Sequence, residues 1–200
     1  MRRVIVAITG ASGIALGVRT LEILADLGDV ETHLIMSPSG AVALSQETAY
    51  RVADVTGLAT KTHKITAIGD SIASGSYPVD AMIVTPCSIK TLSAVANCYS
   101  DNLITRAADV TLKEGRPLVL VVRETPLHLG HLRLMVAAAE AGAILMPPVP
   151  AFYARPENVE EIVDHMARRA LSRAGLSDAS PRPWIGLEQE RALSPDWKDK

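Results

Sequence analysis

The chain has 200 residues, enough for one domain that buries roughly two-thirds of the surface its unfolded form exposes. Hydrophobic residues make up 48% and aromatic residues only 4%, which predicts an aliphatic core. A formal net charge of -2 provides no basic surface for nucleic acid or an anionic membrane, and no stretch approaches the roughly 20 apolar residues that span a bilayer. We therefore expect small-molecule partners, with no nucleic acid and no membrane.

The cysteines indicate the compartment. Cys87 and Cys98 are too few for a disulfide scaffold and lack the spacing of a zinc site, so a reducing environment is expected. The apolar stretch after the two N-terminal arginines is shorter than the core of a signal peptide and ends in a turn. These features predict a cytoplasmic protein.

Short aliphatic runs predict β-strands that begin at Val4, Thr32, Ala81 and Pro117, with a weaker fifth at Ala143. Continuous apolar runs are typical of parallel strands covered on both faces. Helical patterns occupy residues 14–26, 39–55, 89–96, 102–114, 131–141 and 159–174. This alternation predicts a three-layer αβα fold, doubly wound around a mainly parallel sheet, in residues 1–175. Residues 176–200 lose the periodicity and are predicted to be a C-terminal tail that packs over the site or a neighbouring subunit.

In such a sheet, ligands bind where the carboxyl ends of the strands meet the loops. The first loop, "TGASG", places Ser12 between Gly10 and Gly13 at the start of a helix. It matches neither the dinucleotide pattern G-x-G-x-x-G nor a P-loop, but its amides could hold a single phosphate. The alternative is a tight turn in which Ser12 only caps the helix.

Two further loops repeat this design. "SPSG" offers Ser37, either as a ligand or as the N-cap of a helix that has proline at its first position. "TPCSIKTL" places Ser88 and Thr91 around Lys90 at another helix start. Three loops with hydroxyls and amides predict a site for a phosphorylated cofactor. We interpret Cys87 as a buried thiol rather than a nucleophile, because no histidine lies near it in sequence.

The stretch "DNLITRAADVTLKEGRP" places Arg106 and Lys113 about two helical turns apart on one face, with Asp109 between them. One interpretation is a solvated charged stripe. However, the remaining residues are largely apolar or small, and charges on a buried helix need partners. A dianionic phosphate would be such a partner.

Arg123 and Glu124 end the fourth predicted strand with side chains on opposite sides. They could form a structural salt bridge, or the carboxylate could relay protons to a leaving phosphate. His128 and His131 follow at i, i+3 spacing, for which helix capping is favoured over metal binding because no third ligand is evident.

Four segments, "TGASG", "PCSIKTLS", "DNLITRAADVTLKEGRPLVLVVRETPL" and "PPVPAFYARPENVEEIVDHMARRAL", closely resemble the flavin prenyltransferases of the UbiX/Pad type. The resemblance extends over residues 3–186 and implies a flavodoxin-like Rossmann fold that binds FMN without a metal. It implies transfer of the dimethylallyl group of dimethylallyl monophosphate to reduced FMN, at N5 and then C6. The prenylated FMN would serve a UbiD-type decarboxylase, and the enzyme would be a homododecamer with active sites between subunits.

The resemblance also assigns residues. The flavin would contact Gly10, Ala11, Ser12, Ser37, Ser88, Ile89, Lys90, Thr91 and Arg123. The prenyl phosphate would be held by Arg106, Lys113, Tyr153 and Arg169, contributed by neighbouring subunits. The catalytic residues would be Ser12, Glu47, Glu124 and Lys113, and Trp184 would cover the pocket.

Some features point to one branch of the family. "IGDSIASGS" lacks the Trp that some relatives carry just before "ASGS", which predicts weaker aromatic support for an allylic cation. "VETHLIMS" and "PRPWIGL" resemble the branch that forms an accessory subunit of non-oxidative hydroxyarylic acid decarboxylases. An alternative function is therefore an FMN-binding accessory subunit without turnover. A flavin-dependent cysteine decarboxylase ranks last, because its signatures differ from "RETPLHLGHL".

Overall fold

The computed structural model describes residues 1–181, 183, 184 and 186. At its centre lies a sheet in which every neighbouring pair of strands is parallel. The strands are β1 (Arg2–Ile8), β2 (Val30–Met36), β3 (Lys61–His63), β4 (Ala81–Cys87), β5 (Leu118–Val122) and β6 (Ile144–Leu145). The predicted parallel α/β sheet is thereby confirmed.

The strand order is β3-β2-β1-β4-β5-β6, which is the Rossmann order. Without the three-residue edge strand β3, the remaining order is that of flavodoxin. In either description the chain changes direction between β1 and β4, so a crevice opens at their carboxyl ends. The sequence did not predict β3, because Lys61 and Thr62 are exposed and no apolar run marks them.

The helices are α1 (Ile14–Leu27), α2 (Pro38–Glu47), α3 (Val52–Thr56), α4 (Ile89–Ala96), α5 (Leu103–Lys113), α6 (Leu129–Glu140) and α7 (Val159–Arg173). The helix predicted over residues 39–55 is in fact two helices. Thr48 ends α2: its backbone N–H and hydroxyl still donate to the carbonyl of Leu44, but its own backbone is extended at φ −138° and ψ 165°. Arg51 then begins α3 by exchanging hydrogen bonds with Asp54. The prediction was wrong here because neither Gly nor Pro marks the break.

Side chains of the strands alternate between two hydrophobic clusters, one on each face of the sheet. Cluster 1 contains Val6 of β1 and residues of α1 and α7, such as Leu21 and Leu171. Cluster 2 contains Ala7 of β1 and residues of α4, α5 and α6, such as Leu92. A sheet covered on both faces explains why its strands are continuously apolar.

The helix α1 lies unusually close to the sheet. A Cβ placed on Gly17 would be 2.5 Å from the carbonyl oxygen of Thr85 in β4. This close approach fixes the first turns of α1 against the carboxyl end of β4. Among the described residues, no helix combines the length and apolarity that crossing a membrane requires.

Candidate functional site

A cleft of about 900 Å³ opens at the carboxyl ends of β1 and β4. Six of the nine residues predicted to contact the flavin line it: Gly10, Ser37, Ser88, Ile89, Lys90 and Thr91. Glu124 also lines it, whereas Ala11, Ser12 and Arg123 do not. The three loops that the sequence singled out therefore meet at one site.

Gly10 allows two of these loops to meet. A Cβ at this position would collide with the Cβ of Ser39, at the start of α2. Any larger residue would push the β1–α1 loop away from α2 and open the wall of the cleft. The need for glycine here comes from close approach rather than from backbone conformation.

Three helices begin at the cleft. Ser37 caps α2 by accepting from Gly40 N at 3.0 Å, and Ser88 caps α4 by accepting from Thr91 N at 3.3 Å. Asn102 caps α5, its Oδ1 accepting from Ile104 N at 2.9 Å and Thr105 N at 3.2 Å. Helix N-termini present amides without intrahelical acceptors and the positive end of the dipole, so the cleft favours an anion.

The N-terminus of α5 also belongs to the site, although the sequence did not predict it there. An Asn directly before a periodic helix is a strong N-cap signal, and "DNLITR" carries it. What could not be read from that signal is the direction in which α5 points. That direction depends on how β4 and β5 pair.

The N-terminus of α1 is already occupied by a side chain. Gly13 N and Ile14 N donate to Glu47 Oε2 at 2.8 and 3.0 Å, with Gly13 in the left-handed region at φ +99°. Ser12 makes no capping bond, so the interpretation of Ser12 as the cap was wrong. These two amides bind the carboxylate at the end of α2, and the anion-binding amides of the cleft lie elsewhere.

The surroundings of Glu47 keep it ionised. Burial raises its pKa, but hydrogen bonds from Ile14 N and Gly13 N lower it, with further lowering by the Ser12 hydroxyl and the positive charge of Arg123. The net shift is downward. At neutral pH this carboxylate therefore accepts hydrogen bonds and holds no proton.

Arg123 and Glu124 face different neighbours, as the strand geometry predicts. The charge of Arg123 acts on Glu47, while Glu124 lines the cleft and its Oε1 accepts from Thr125 N at 2.9 Å. No ion pair joins Arg123 to Glu124 within the described part of the chain, so the salt-bridge interpretation was wrong. Glu124 remains exposed toward a ligand, as does Asp101, the other carboxylate among the described residues that line the cleft.

Two other expectations are confirmed. Burial raises the pKa of the Cys87 thiol to about 12, so this group is no nucleophile at neutral pH. His128 is the N-cap of α6 and accepts from Gly130 N at 3.0 Å, as the capping interpretation required. The ring of His131 packs on it with centroids 3.6 Å apart.

The four predicted phosphate ligands form two groups within one chain. Arg106 and Lys113 belong to α5, on the cluster 2 side, where Arg106 pairs with Asp109 at 2.7 Å and Lys113 pairs with Glu114. Tyr153 and Arg169 lie on the other side of the sheet, in the 3-10 turn Phe152–Ala154 and in α7. A single protomer therefore does not bring these residues to one point.

The predicted tail begins by packing on its own chain. Leu176 and Ala179 are buried in cluster 1. The ring of Trp184 meets that of Tyr153 edge-on with centroids 5.7 Å apart, and Trp184 remains 47% exposed. Trp184 thus lies over a predicted substrate residue. Residues 187–200 of the predicted tail fall outside the described residues.

Comparison with known proteins agrees with this geometry. A family model described as Flavoprotein matches residues 1–171. The flavin prenyltransferase UbiX of Escherichia coli (strain K12) is 53% identical over 177 residues, which cover 88% of this chain and 94% of that protein. The flavin prenyltransferase UbiX of Thauera aromatica is 52% identical over 192 residues, covering 96% and 98%.

Solved structures match as closely. A crystal structure of AnUbiX (PadA1) in complex with FMN and dimethylallyl pyrophosphate has a TM-score of 0.89 and 45% identity, covering 93% of this chain and 98% of that chain. A dodecameric FMN-dependent Ubix-like decarboxylase from Escherichia coli O157:H7 has a TM-score of 0.89 and 46% identity, covering 92% and 100%. The FMN-dependent cysteine decarboxylase TvaF, at 16% identity and a TM-score of 0.61, shares the fold alone.

Proposed function

Because the chain belongs to the flavoprotein family and, within it, to the flavin prenyltransferases, we infer that it transfers a dimethylallyl group from dimethylallyl monophosphate to reduced FMN. One observation of the structure carries this inference: the loops after β1, β2 and β4 and the N-terminus of α5 converge on one anion-favouring cleft. The chain is an enzyme, and its flavin is FMN. A relative of 53% identity is a flavin prenyltransferase, and a solved structure of 45% identity contains FMN.

The residues of the cleft fit a flavin phosphate and its polar chain. The N-termini of α2, α4 and α5 supply amide donors, Ser37 and Ser88 supply hydroxyls, and Lys90 supplies a positive charge. Apolar side chains such as Ile65 and Ile89 line the same cleft and suit an aromatic ring system. When bound, reduced FMN supplies the nucleophilic atoms, which the resemblance identifies as N5 and then C6.

The departing phosphate needs positive charge. Breaking the C–O bond of the allylic phosphate leaves both electrons on the phosphate oxygen, and guanidinium and ammonium groups stabilise that anion. Arg106 and Lys113 are the candidates on α5, and Tyr153 and Arg169 are those on the other face. Since the two groups lie on opposite faces of one chain, we propose that neighbouring copies bring them together in a homo-oligomer.

The two carboxylates have different tasks in this proposal. Glu47 is committed to Gly13 N and Ile14 N and holds the β1–α1 loop with Ser12 in place. Glu124 lines the cleft and is the carboxylate that exchanges a proton with the departing phosphate. Ser12, in the β1–α1 loop, hydrogen-bonds to Glu47 and assists the proton transfer to the departing phosphate.

Anaerobic incubation of the protein with reduced FMN and dimethylallyl monophosphate tests the function. We expect a product heavier than reduced FMN by one C5H8 unit, detected by mass spectrometry, and a Glu124→Gln variant that binds FMN but forms the product slowly. A parallel reaction with dimethylallyl pyrophosphate defines the donor. Bound FMN without any product would contradict the prenyltransferase and favour the accessory subunit.

The assembly, the receiving enzyme and the compartment are further parts of the proposal. A dodecameric relative at 46% identity supports a homododecamer, which light scattering would check. We propose that a UbiD-type decarboxylase consumes the product, which reconstitution of such an apoenzyme would test. Cys87 and Cys98 are both free thiols, which supports a cytoplasmic location testable by fractionation.

A further inference from the structure

The connection between β3 and β4, residues 64–80, lies against both predicted phosphate cations of α5. The Nε of Arg106 donates to the carbonyl of Ala73 at 3.3 Å. A Cβ placed on Gly75 would lie 2.7 Å from Nζ of Lys113 and would overlap Oε1 of Glu114. The position of this connection therefore determines where Arg106 and Lys113 can be.

Asp70 fixes the connection at its middle. Its Oδ1 accepts from Ser71 N at 2.7 Å and caps the 3-10 turn Ser71–Ala73, whose last carbonyl is the one that binds Arg106. Its Oδ2 lies 2.6 Å from Nδ1 of His63, the last residue of β3. One carboxylate thus joins the turn to the edge of the sheet.

His63 is one half of a buried pair of histidines. His33 is fully buried and His63 is 3% exposed, with His33 Nδ1 2.8 Å from His63 Nε2. At the far side, His33 Nε2 lies 3.1 Å from Glu31 Oε1. The chain of contacts runs from Glu31 through both rings to Asp70, and none of these four side chains lines the flavin cleft.

Counting hydrogens gives the charge of the pair. Glu31 and Asp70 are both ionised, because a hydrogen bond from Arg3 lowers the pKa of Glu31 and one from His63 lowers the pKa of Asp70. Ionised carboxylates only accept, so both outer ring nitrogens must carry hydrogen, and the bond between the rings needs one more. Two rings that share three hydrogens carry one positive charge.

The hydrogen between the rings belongs to His63, whose outer contact, 2.6 Å to Asp70, is shorter than the 3.1 Å contact of His33 with Glu31. Burial lowers the pKa of His33, and the neighbouring His63 lowers it further, so His33 is the neutral ring. His33 then donates from Nε2 to Glu31 and accepts at Nδ1 from His63. The charged and titratable groups that face the pair are Arg3, Glu31, Lys61, Asp70 and Tyr77.

We propose that His33 and His63 are positioning residues whose third hydrogen holds Asp70, and through it the β3–β4 connection, against Arg106 and Lys113. The inference rests on the proposed function, in which those two cations bind the prenyl phosphate. Without the third hydrogen, one of the three hydrogen bonds along the pair is lost and Asp70 is no longer held by a charged donor.

The variant Asp70→Asn separates charge from capping. The amide oxygen can still cap Ser71 N, but its NH2 group then faces His63 Nδ1, which must become an acceptor and give up the third hydrogen. We expect KM for dimethylallyl monophosphate to rise about tenfold, equivalent to about 1.4 kcal/mol, with a smaller change in kcat and unchanged FMN affinity.

Solid-state ¹⁵N NMR of protein labelled at histidine provides a readout that needs no turnover. Three protonated ring nitrogens are expected for the pair in the wild type and two in Asp70→Asn. A failure of the prenyltransferase assay in the wild type would contradict the function, whereas this spectrum reports on the pair alone. Two protonated nitrogens in the wild type would overturn the inference.

The control is Thr20→Val, which removes a buried hydroxyl that donates to Leu16 O. Thr20 belongs to α1, which packs on the cluster 1 side of the sheet and is far in sequence from the β3–β4 connection. It should lower the melting temperature without moving KM. If Asp70→Asn does not fold, His63→Gln provides the same test, because a neutral amide can bridge His33 and Asp70 without a charge. Either variant behaving like Thr20→Val, with stability lowered and KM unmoved, would also overturn the inference.

Discussion

Glu47 joins residues that are far apart in sequence. Its carboxylate, at the end of α2, takes the place of a side-chain cap at the N-terminus of α1. A negative group at a helix N-terminus is stabilised both by the amides it binds and by the helix dipole. The residue thus ties the β1–α1 loop to the C-terminal end of α2.

Glu47→Gln should lower the free energy of unfolding by about 1 kcal/mol at neutral pH, because a charged acceptor becomes a neutral one. The folded pKa of Glu47 lies below its ordinary value, so its contribution to stability is present above the unfolded pKa and is lost as the pH falls through the folded pKa. Urea unfolding should therefore show two proteins that differ at neutral pH and converge in acid. A gap that stays constant with pH would contradict this; Glu140→Gln, on an exposed residue, is the control.

Gly75→Ala should raise KM for the allylic donor severalfold. The added methyl group overlaps the carboxylate of Glu114 and approaches Nζ of Lys113, so both side-chain ends must move. Stability should change by less than about 1 kcal/mol, since flexible ends give way more easily than backbone. Steady-state kinetics checks the first effect and thermal unfolding the second.

The matched control is Gly69→Ala in the same connection. A Cβ at Gly69 has no heavy atom within 4 Å, so neither KM nor stability should change. Equal effects of the two substitutions would show that Gly75 matters for chain flexibility and not for the room that Lys113 needs.

Local patterns identified Ser37 and His128 as helix caps but failed at Ser12, which makes no capping bond, and long-range contacts were not predicted. Ser37, Ser88 and His128 cap helices that begin within three residues of them, and such patterns are local. Glu47 binds amides 33 and 34 positions earlier in the chain, which no local pattern contains. Its place in the site came from the family resemblance alone.

At the scale of elements, the contact between α1 and the sheet sets the geometry of the cleft. Gly17→Ala should destabilise the protein by about 1–3 kcal/mol, because the Cβ would meet the carbonyl of Thr85 and a strand backbone cannot yield as a side chain can. Urea unfolding measures this change. Ala25→Ser, at an exposed position of the same helix, should shift stability by less than about 0.5 kcal/mol. A Gly17→Ala variant as stable as the wild type would show that α1 moves freely over the sheet.

Elements with a strong period were predicted well, and weak or interrupted ones were not. The helix predicted over 89–96 has those bounds in the structure, and the four aliphatic runs are strands. In β3 only three residues pair, and its exposed Lys61 gives no hydrophobic signal. The break after Glu47 lies at Thr48, whose backbone is extended at φ −138° and ψ 165°, and neither Gly nor Pro marks that change in the sequence.

For the whole molecule, the separation of Arg106 from Arg169 predicts complementation between chains. Arg106→Ala and Arg169→Ala should each be nearly inactive. In a shared site, one chain supplies α5 and another supplies α7. When the two variants are co-expressed in equal amounts, each helix is intact in about half of the cases, so about a quarter of the sites should have both intact. Activity of the mixed oligomer, compared with the two separate variants, checks this expectation.

A second mixture serves as the control. Arg106 and Lys113 belong to the same helix, so every α5 in a mixture of Arg106→Ala with Lys113→Ala lacks one of them. No activity should return in that case. Recovery in the control, or none in the first mixture, would contradict a site shared between chains.

The placement of the cleft along the chain has a consequence for biosynthesis. Every described residue that lines it precedes position 125, whereas α7 and the segment after it supply much of cluster 1. During synthesis, the residues of the flavin cleft therefore leave the ribosome before α7, which packs on the cluster 1 side of the sheet. A nascent chain stalled at that stage exposes the surfaces of α1 and β5 on which α7 packs, including Val119 and Val121, and aggregation of truncated products would begin there.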